Sequence, residues 1–115
     1  MTRVIYAAYL FLTLWASLVP ASGEATMGDF DKLAHFATYA GMGILSCLAF
    51  HSRPARIFSL VFGAALGAAL ELAQGWVPGR SPSMMDAAAN ALGIIAGAGF
   101  YAKYGRFLKG VWPVS

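Results

Sequence analysis

Four long apolar stretches, separated by short polar segments, occupy most of this chain. They cover residues 4–21, 33–50, 57–77 and 85–102, and the fourth is long enough when the helix begins near Met85. A helix that crosses a membrane needs about 20 predominantly apolar residues, with a range of roughly 17–25. The sequence therefore predicts four membrane-spanning segments.

The composition excludes the main alternatives to a membrane protein. Hydrophobic residues make up 59% of the 115 residues and charged residues 11%, whereas a soluble domain has about 45–50% and about 25%. A chain this short cannot bury so much apolar surface in an aqueous core. Intrinsic disorder requires low hydrophobicity and high charge, so it is excluded as well. We predict a single integral membrane domain over residues 1–115.

The secondary structure of these stretches follows from the lipid environment. Lipid offers no partners to backbone polar groups, so spanning segments are helices or closed barrels. The stretches are continuously apolar and lack the alternation of a barrel strand. We therefore expect an all-α fold, a membrane four-helix bundle.

The basic residues gather on one side of this predicted bundle. Six of the eight flank the first stretch, the loop after the second stretch or the C-terminal end: Arg3, Arg53, Arg56, Lys103, Arg106 and Lys109. The positive-inside rule then places both termini in the cytoplasm. The net charge of +3 is explained by this topology, so we expect the lipid bilayer, and no nucleic acid, as a partner.

The first stretch has an alternative interpretation as a cleaved signal peptide. Arg3 precedes the apolar run and the small residue Ala21 ends it. The apolar region of a signal peptide usually has about 7–15 residues, and this run is longer, which favours a retained span. Cleavage would leave three spans, and each would keep its orientation in the membrane.

The lone cysteine, Cys47, lies in an apolar run and is expected to be buried.

Polar side chains gather at the opposite, outer face of the predicted bundle. They lie at the start of the second stretch, at the end of the third, in the following loop and at the start of the fourth: Asp31, Lys32, His35, Tyr39, Glu71, Gln74, Arg80, Asp86 and Asn90. Ionisable residues inside membrane helices are costly and are functional candidates by default. We expect these residues to form one polar pocket on the extracytoplasmic side.

Helical spacing suggests which chemistry the pocket supports. Asp31, His35 and Tyr39 share one helix face. His35 with Glu71 or Asp31 has the residue types of a general base and its orienting carboxylate, so these three are the candidates for catalysis. Lysine and arginine can hold phosphate or carboxylate groups. The expected ligand-binding residues are Lys32, Tyr39, Gln74, Arg80, Asp86 and Asn90.

Structural roles are the alternative for the same residues. Acids at helix N-termini are favoured by capping and by the helix dipole, which is sufficient to explain Asp31 and Asp86. Glu71 could pair with Arg80 or Lys32, and Asn90 and Gln74 could hydrogen-bond between helices. One histidine among several carboxylates matches no recognised metal motif, so we predict no metal site and can name no cofactor.

Two pairs of glycines lie four residues apart, Gly63 with Gly67 and Gly93 with Gly97. Small residues at this spacing allow helix backbones to approach closely. We expect them to mediate helix packing within the bundle. A homodimer interface is the alternative.

Three motifs together identify a family resemblance: Asp31-Lys-x-x-His35-Phe-x-x-Tyr39, then Glu71-x-x-Gln74 with Pro78-Gly79-Arg80, then Asp86-x-x-x-Asn90-x-x-Gly93-x-x-x-Gly97. In this order, over about residues 29–100, they resemble the VanZ-like family of small bacterial membrane proteins. The resemblance implies a multi-pass protein of the bacterial inner membrane. The founder of the family is associated with resistance to teicoplanin, which targets peptidoglycan precursors. The resemblance implies no particular reaction.

Three functions remain open from the sequence. The pocket could bind or act on an anionic lipid or a polyprenyl-linked cell-envelope intermediate, which connects it with glycopeptide resistance. Alternatively, the polar clusters could serve only helix packing in a non-enzymatic membrane component. A small ion-coupled transporter is less favoured, because four short helices without an inverted repeat leave little room for alternating access.

Overall fold

The computed structural model describes residues 1–18, 28–78 and 83–111, and of residues 28–31 it describes the backbone only. The described residues form four helices and no strand: α1 (Thr2–Leu18), α2 (Gly28–Ala49), α3 (Arg53–Ala73) and α4 (Met84–Val111). A short 3₁₀ turn, Gln74–Trp76, continues α3. The prediction of an all-helical four-helix bundle is confirmed.

Two helices are longer than the apolar stretches that predicted them. α2 begins at Gly28 rather than near residue 33, because acids such as Asp29 and Asp31 are favoured in a first helical turn. α4 continues past residue 102 to Val111, because the basic segment 103–111 contains no proline and is rich in good helix formers. Hydropathy marks only the apolar part of each helix.

α2 is the central helix, and its closest partner is α4. Glycines make this contact possible. A methyl group added to Gly43 would lie 2.6 Å from the carbonyl oxygen of Ile94, and one added to Gly97 would overlap the carbonyl of Ala40. Gly93 faces the carbonyl of Phe36 in the same way. The two backbones therefore touch along one seam, where no larger side chain fits.

α3 packs onto this pair through its own glycines. Gly63 lies against Met42 and Ile94, and Gly67 lies against Tyr39 and Asn90. All four glycines of the predicted pairs thus lie in contacts between helices of this one chain. The homodimer stays a prediction, since a single chain does not test it.

α1 covers the other side of α2. The Tyr9 hydroxyl donates a hydrogen bond of 2.6 Å to the backbone carbonyl of Thr38, and Tyr6 packs edge-on against Phe50. The core beneath includes Met42, Tyr39 and Ile94, all nearly inaccessible to solvent. α1 is therefore part of the packed bundle.

The outer surface of the bundle is strongly apolar. Large exposed hydrophobic side chains occur on all four helices, for example Trp15, Phe58 and Ile95. Within the described residues, Arg53–Trp76 is the one helical segment both long and apolar enough to cross a membrane, and Thr2–Leu18 is apolar but shorter. That all four helices cross a membrane stays a prediction.

Candidate functional site

Polar residues from three helices converge at one end of the bundle. His35 lies near the start of α2, Glu71 near the end of α3, and Asp86 and Asn90 in the first turns of α4. Glu71, Asp86 and Asn90 are buried, and the His35 side chain is 17% exposed. The antiparallel order of the helices brings these ends together, because short connections reverse the chain after α2 and after α3.

The His35 imidazole lies between two polar groups of α4. Its Nδ1 is 2.8 Å from Oδ1 of Asn90, and its Nε2 is 3.9 Å from Oδ2 of Asp86. An amide oxygen can only accept, so Nδ1 carries the proton that this hydrogen bond requires. In neutral His35 the lone pair is then on Nε2, which faces the Asp86 carboxylate.

Glu71 connects the end of α3 to the start of α4. Its Oε1 accepts a hydrogen bond of 2.6 Å from the backbone N–H of Ser83. The Ser83 hydroxyl in turn accepts from the backbone N–H of Asp86 at 3.3 Å and caps α4. A buried carboxylate thus fixes the position at which α4 begins.

Gln74 provides the corresponding contact to α1. Its Nε2 donates a hydrogen bond of 3.1 Å to the backbone carbonyl of Ser17. Gln74 is 4% exposed, and Ser17 lies in the last turn of α1. The amide therefore satisfies a carbonyl at a helix end that has no partner within its own helix.

A cavity of about 170 Å³ opens between α1 and α2 beside this cluster. Its polar lining combines expected residues with residues of α1 and α2 that the motifs did not include: His35, Tyr39, Gln74, Thr13, Ser17 and Thr38. Thr13 and Ser17 are four residues apart and share one face of an otherwise apolar helix. That spacing is the signal in the sequence from which these two lining residues were predictable.

The other residues expected in the pocket are Tyr39, Lys32, Asp31 and Arg80. Tyr39 is buried one turn from His35, against Gly67. Lys32 is half-buried and lies three residues before His35, on the same face of α2. The side chain of Asp31 and all of Arg80 lie outside the described residues.

The cluster also contains the ligand types of a metal site. One ligand atom from each of His35, Glu71 and Asp86 lies within 4.8 Å of the others. Zinc binds nitrogen and carboxylate oxygen at about 2.0–2.2 Å, so the three side chains would have to move closer to share one ion. The sequence contains these ligand types but no motif that joins them.

The geometry suits proton transfer at His35. Asn90 fixes the ring orientation through Nδ1, and a proton gained at Nε2 would form an imidazolium beside the Asp86 carboxylate. Opposite charges at this separation attract most strongly where water is scarce. The arrangement can therefore orient a base, or present a cationic imidazolium to an anionic group entering from the cavity.

A comparison with protein families gives a match over nearly the whole chain. The chain matches the model of the VanZ/LLP1 family over residues 2–108. The match includes α1, for which the sequence showed no motif. No curated protein and no solved structure matches the chain. Since the family match covers nearly the whole chain and agrees with the three motifs, this chain belongs to the VanZ/LLP1 family.

Proposed function

We propose that this protein is a four-span protein of the bacterial inner membrane, with both termini in the cytoplasm. The exposed apolar surface on all four helices supports this, because soluble monomers rarely expose large apolar patches. The longest dimension of the chain, 42 Å, also agrees with a bilayer of about 40–45 Å including headgroups. With this topology the His35 cluster faces the extracytoplasmic side.

We further propose that the cluster binds the phosphate group of an anionic or polyprenyl-linked envelope lipid. The observation that carries this proposal is the His35 imidazole, which is oriented by Asn90, lies beside Asp86 and lines a cavity. Lys32, on the same face of α2, and Arg80 would supply positive charge for the phosphate. The apolar outer surface would accommodate the lipid chain.

The test compares two histidine variants in the purified protein. The wild type, His35→Gln and His51→Gln would be extracted in mild detergent, and their bound lipids identified by mass spectrometry. His51 is exposed at the opposite end of the bundle, so its variant is the matched control. We expect the wild type and His51→Gln to retain a polyprenyl phosphate or another anionic lipid, and His35→Gln to retain less of it.

Equal amounts of the same bulk lipids in all three samples would contradict this proposal. A link to glycopeptide resistance has its own test. Production of the wild type and of His35→Gln in a teicoplanin-susceptible host should change susceptibility for the wild type only. Equal susceptibility of both strains would contradict a link between this chain and the resistance that is associated with the family founder.

A structural role is the second candidate, and two contacts favour it. The Glu71–Ser83 hydrogen bond joins α3 to α4, and the Gln74–Ser17 hydrogen bond joins the end of α3 to α1. Such bonds hold helix ends together in a membrane, where unsatisfied polar groups are costly. Under this role every polar variant should lose stability in proportion to any loss of activity. An inactive variant with unchanged thermal stability would exclude it.

A further inference from the structure

A second polar site lies at the other end of the bundle, away from the His35 cluster. A cleft of about 740 Å³ opens between the end of α2, the start of α3 and the last turns of α4. Among the described residues, four basic side chains and no acidic one line it: Arg56, Lys103, Arg106 and Lys109. The proposed function makes no use of this cleft.

Arg56 is held in place at the inner wall of the cleft. Its Nη2 donates to the backbone carbonyl of Cys47 and its Nε to that of Phe50, both at 3.2 Å. The Cys47 carbonyl lies in the last turn of α2, where helix carbonyls lack partners within the helix, and the Phe50 carbonyl follows directly after that turn. The two bonds use two of the five guanidinium donors, so the charge is fixed before any ligand arrives.

Tyr101 lies between the basic side chains. Its ring centroid is 5.1 Å from the Arg56 guanidinium carbon and 5.9 Å from Nζ of Lys109. The side chain is 8% exposed, and its buried hydroxyl has no hydrogen-bond partner among the described residues. Tyr101 lines the cleft, and buried hydroxyls in native proteins nearly always have a partner, so an acceptor oxygen that reaches this hydroxyl from the cleft would complete the site.

The surroundings of the cleft identify the source of that oxygen. Residues next in sequence to the lining residues on α3 and α4 are exposed aromatic and aliphatic side chains, including Ile57, Phe100 and Phe107. Acyl chains can lie along such flanks while a phosphate enters the cleft. Basic pockets between membrane helices on the cytoplasmic side are suited to anionic lipid headgroups, and arginine can bind phosphate oxygens in a bidentate manner.

We propose that this cleft is a binding site for the phosphodiester headgroup of an anionic phospholipid. Arg56 and Tyr101 form its fixed wall, and Arg106, Lys103 and Lys109 close around the headgroup. With the basic end in the cytoplasm, the lipid comes from the inner leaflet. This site is independent of the His35 pocket, so either can be present without the other.

The test measures lipid binding by native mass spectrometry of the protein in neutral detergent. Phosphatidylglycerol, cardiolipin and zwitterionic phosphatidylcholine are added separately, and inorganic phosphate is the soluble competitor. The key variants are Arg106→Gln in the cleft and Arg53→Gln as its matched control. Arg53 carries the same charge at the same end of the bundle but does not line the cleft.

We expect the anionic lipids to bind in preference to phosphatidylcholine. Arg106→Gln should weaken their binding about fivefold, because one basic residue contributes about that factor at an anionic surface, and Arg53→Gln by less than about twofold. Tyr101→Phe should weaken binding with its helical content and melting temperature unchanged. Arg56→Gln is less informative, because it also removes the contacts to α2.

Three results would overturn the proposal. Equal weakening by Arg53→Gln and Arg106→Gln would mean diffuse attraction to a basic surface. Equal binding of phosphatidylcholine would mean that the cleft does not recognise charge. Displacement of the lipid by millimolar inorganic phosphate would mean a site for a soluble phosphate.

Discussion

His35 and Asn90, 55 positions apart in the chain, are joined by a hydrogen bond of 2.8 Å between Nδ1 and Oδ1. The bond joins α2 to α4, the most closely packed pair of helices in the bundle. It lies next to the glycine seam, the contact between these two helices at Gly43, Gly93 and Gly97. Because the Asn90 oxygen can only accept, this contact determines which nitrogen of neutral His35 carries the proton. The Asp86 carboxylate then faces the other nitrogen.

The first prediction concerns Asn90. Asn90→Ala removes the oxygen that accepts the hydrogen bond from Nδ1 of His35. The loss of this bond should lower the free energy of unfolding by about 1–3 kcal/mol. The loss would be measured by thermal or denaturant unfolding in detergent. In ¹⁵N spectra of the neutral imidazole, wild-type His35 should carry its proton on Nδ1, and Asn90→Ala should shift the population towards Nε2. The exposed His51 is the internal reference, and an unchanged His35 tautomer would contradict the assignment.

The second prediction concerns the glycine seam. A methyl group at Gly97 would overlap the Ala40 carbonyl, whereas nothing lies within 4 Å of one at Gly99 on the same helix. Gly97→Ala should therefore cost about 1–3 kcal/mol through forced separation of α2 and α4. Gly99→Ala should be neutral, or stabilising by roughly 0.5–1 kcal/mol through helix propensity. Unfolding midpoints of the two variants provide the comparison, and equal midpoints would exclude the close helix contact.

The third prediction separates the two candidate roles of Glu71. Glu71→Gln keeps an oxygen that can accept from the Ser83 N–H, so most of the stability should remain. Glu71→Leu removes the acceptor from the partly buried Ser83 N–H and should cost about 1–3 kcal/mol. If the carboxylate charge is needed in the pocket, Glu71→Gln should be folded and yet fail to retain the co-purified lipid. Full lipid retention by a stable Glu71→Gln would show that only the hydrogen bond matters.

The fourth prediction concerns topology. His51 lies between α2 and α3 and Met84 begins α4, and both side chains are exposed at opposite ends of the bundle. In a Cys47→Ser background, Met84→Cys should react with a membrane-impermeant maleimide in intact spheroplasts. His51→Cys should react only after the membrane is permeabilised, because the positive-inside rule places it in the cytoplasm. The reverse pattern would invert the proposed orientation.

Local patterns in the sequence were sufficient to predict the four helices and the family. Continuous apolar runs predicted the four helices, because hydropathy is a property of each segment and does not depend on its neighbours. The same patterns missed the early start of α2 and the basic extension of α4, because charged residues are compatible with helix. The three motifs were sufficient to identify the family, although they gave no sign that α1 belongs to it.

The pocket was predictable only as a set of residues at one end of the bundle. Spacing along a helix placed Asp31, His35 and Tyr39 on one face, but it could not show that His35 contacts Asn90 and Asp86. The sequence also left Glu71 with several possible partners, and in the structure one of its oxygens accepts from the Ser83 backbone. A pattern of side chains does not indicate which backbone group will be a hydrogen-bond partner, because nearly every residue carries the same backbone groups.

By itself the sequence determined the helices, the charge difference between the two ends, the three polar motifs and the family. Tertiary structure decided which side chains meet: His35 with Asn90, Gln74 with the end of α1, and Arg56 with the end of α2. The reason is physical. Helix periodicity depends on neighbours along the chain, whereas helix pairing depends on how closely two backbones approach, and here the glycines at 43, 93 and 97 set that distance.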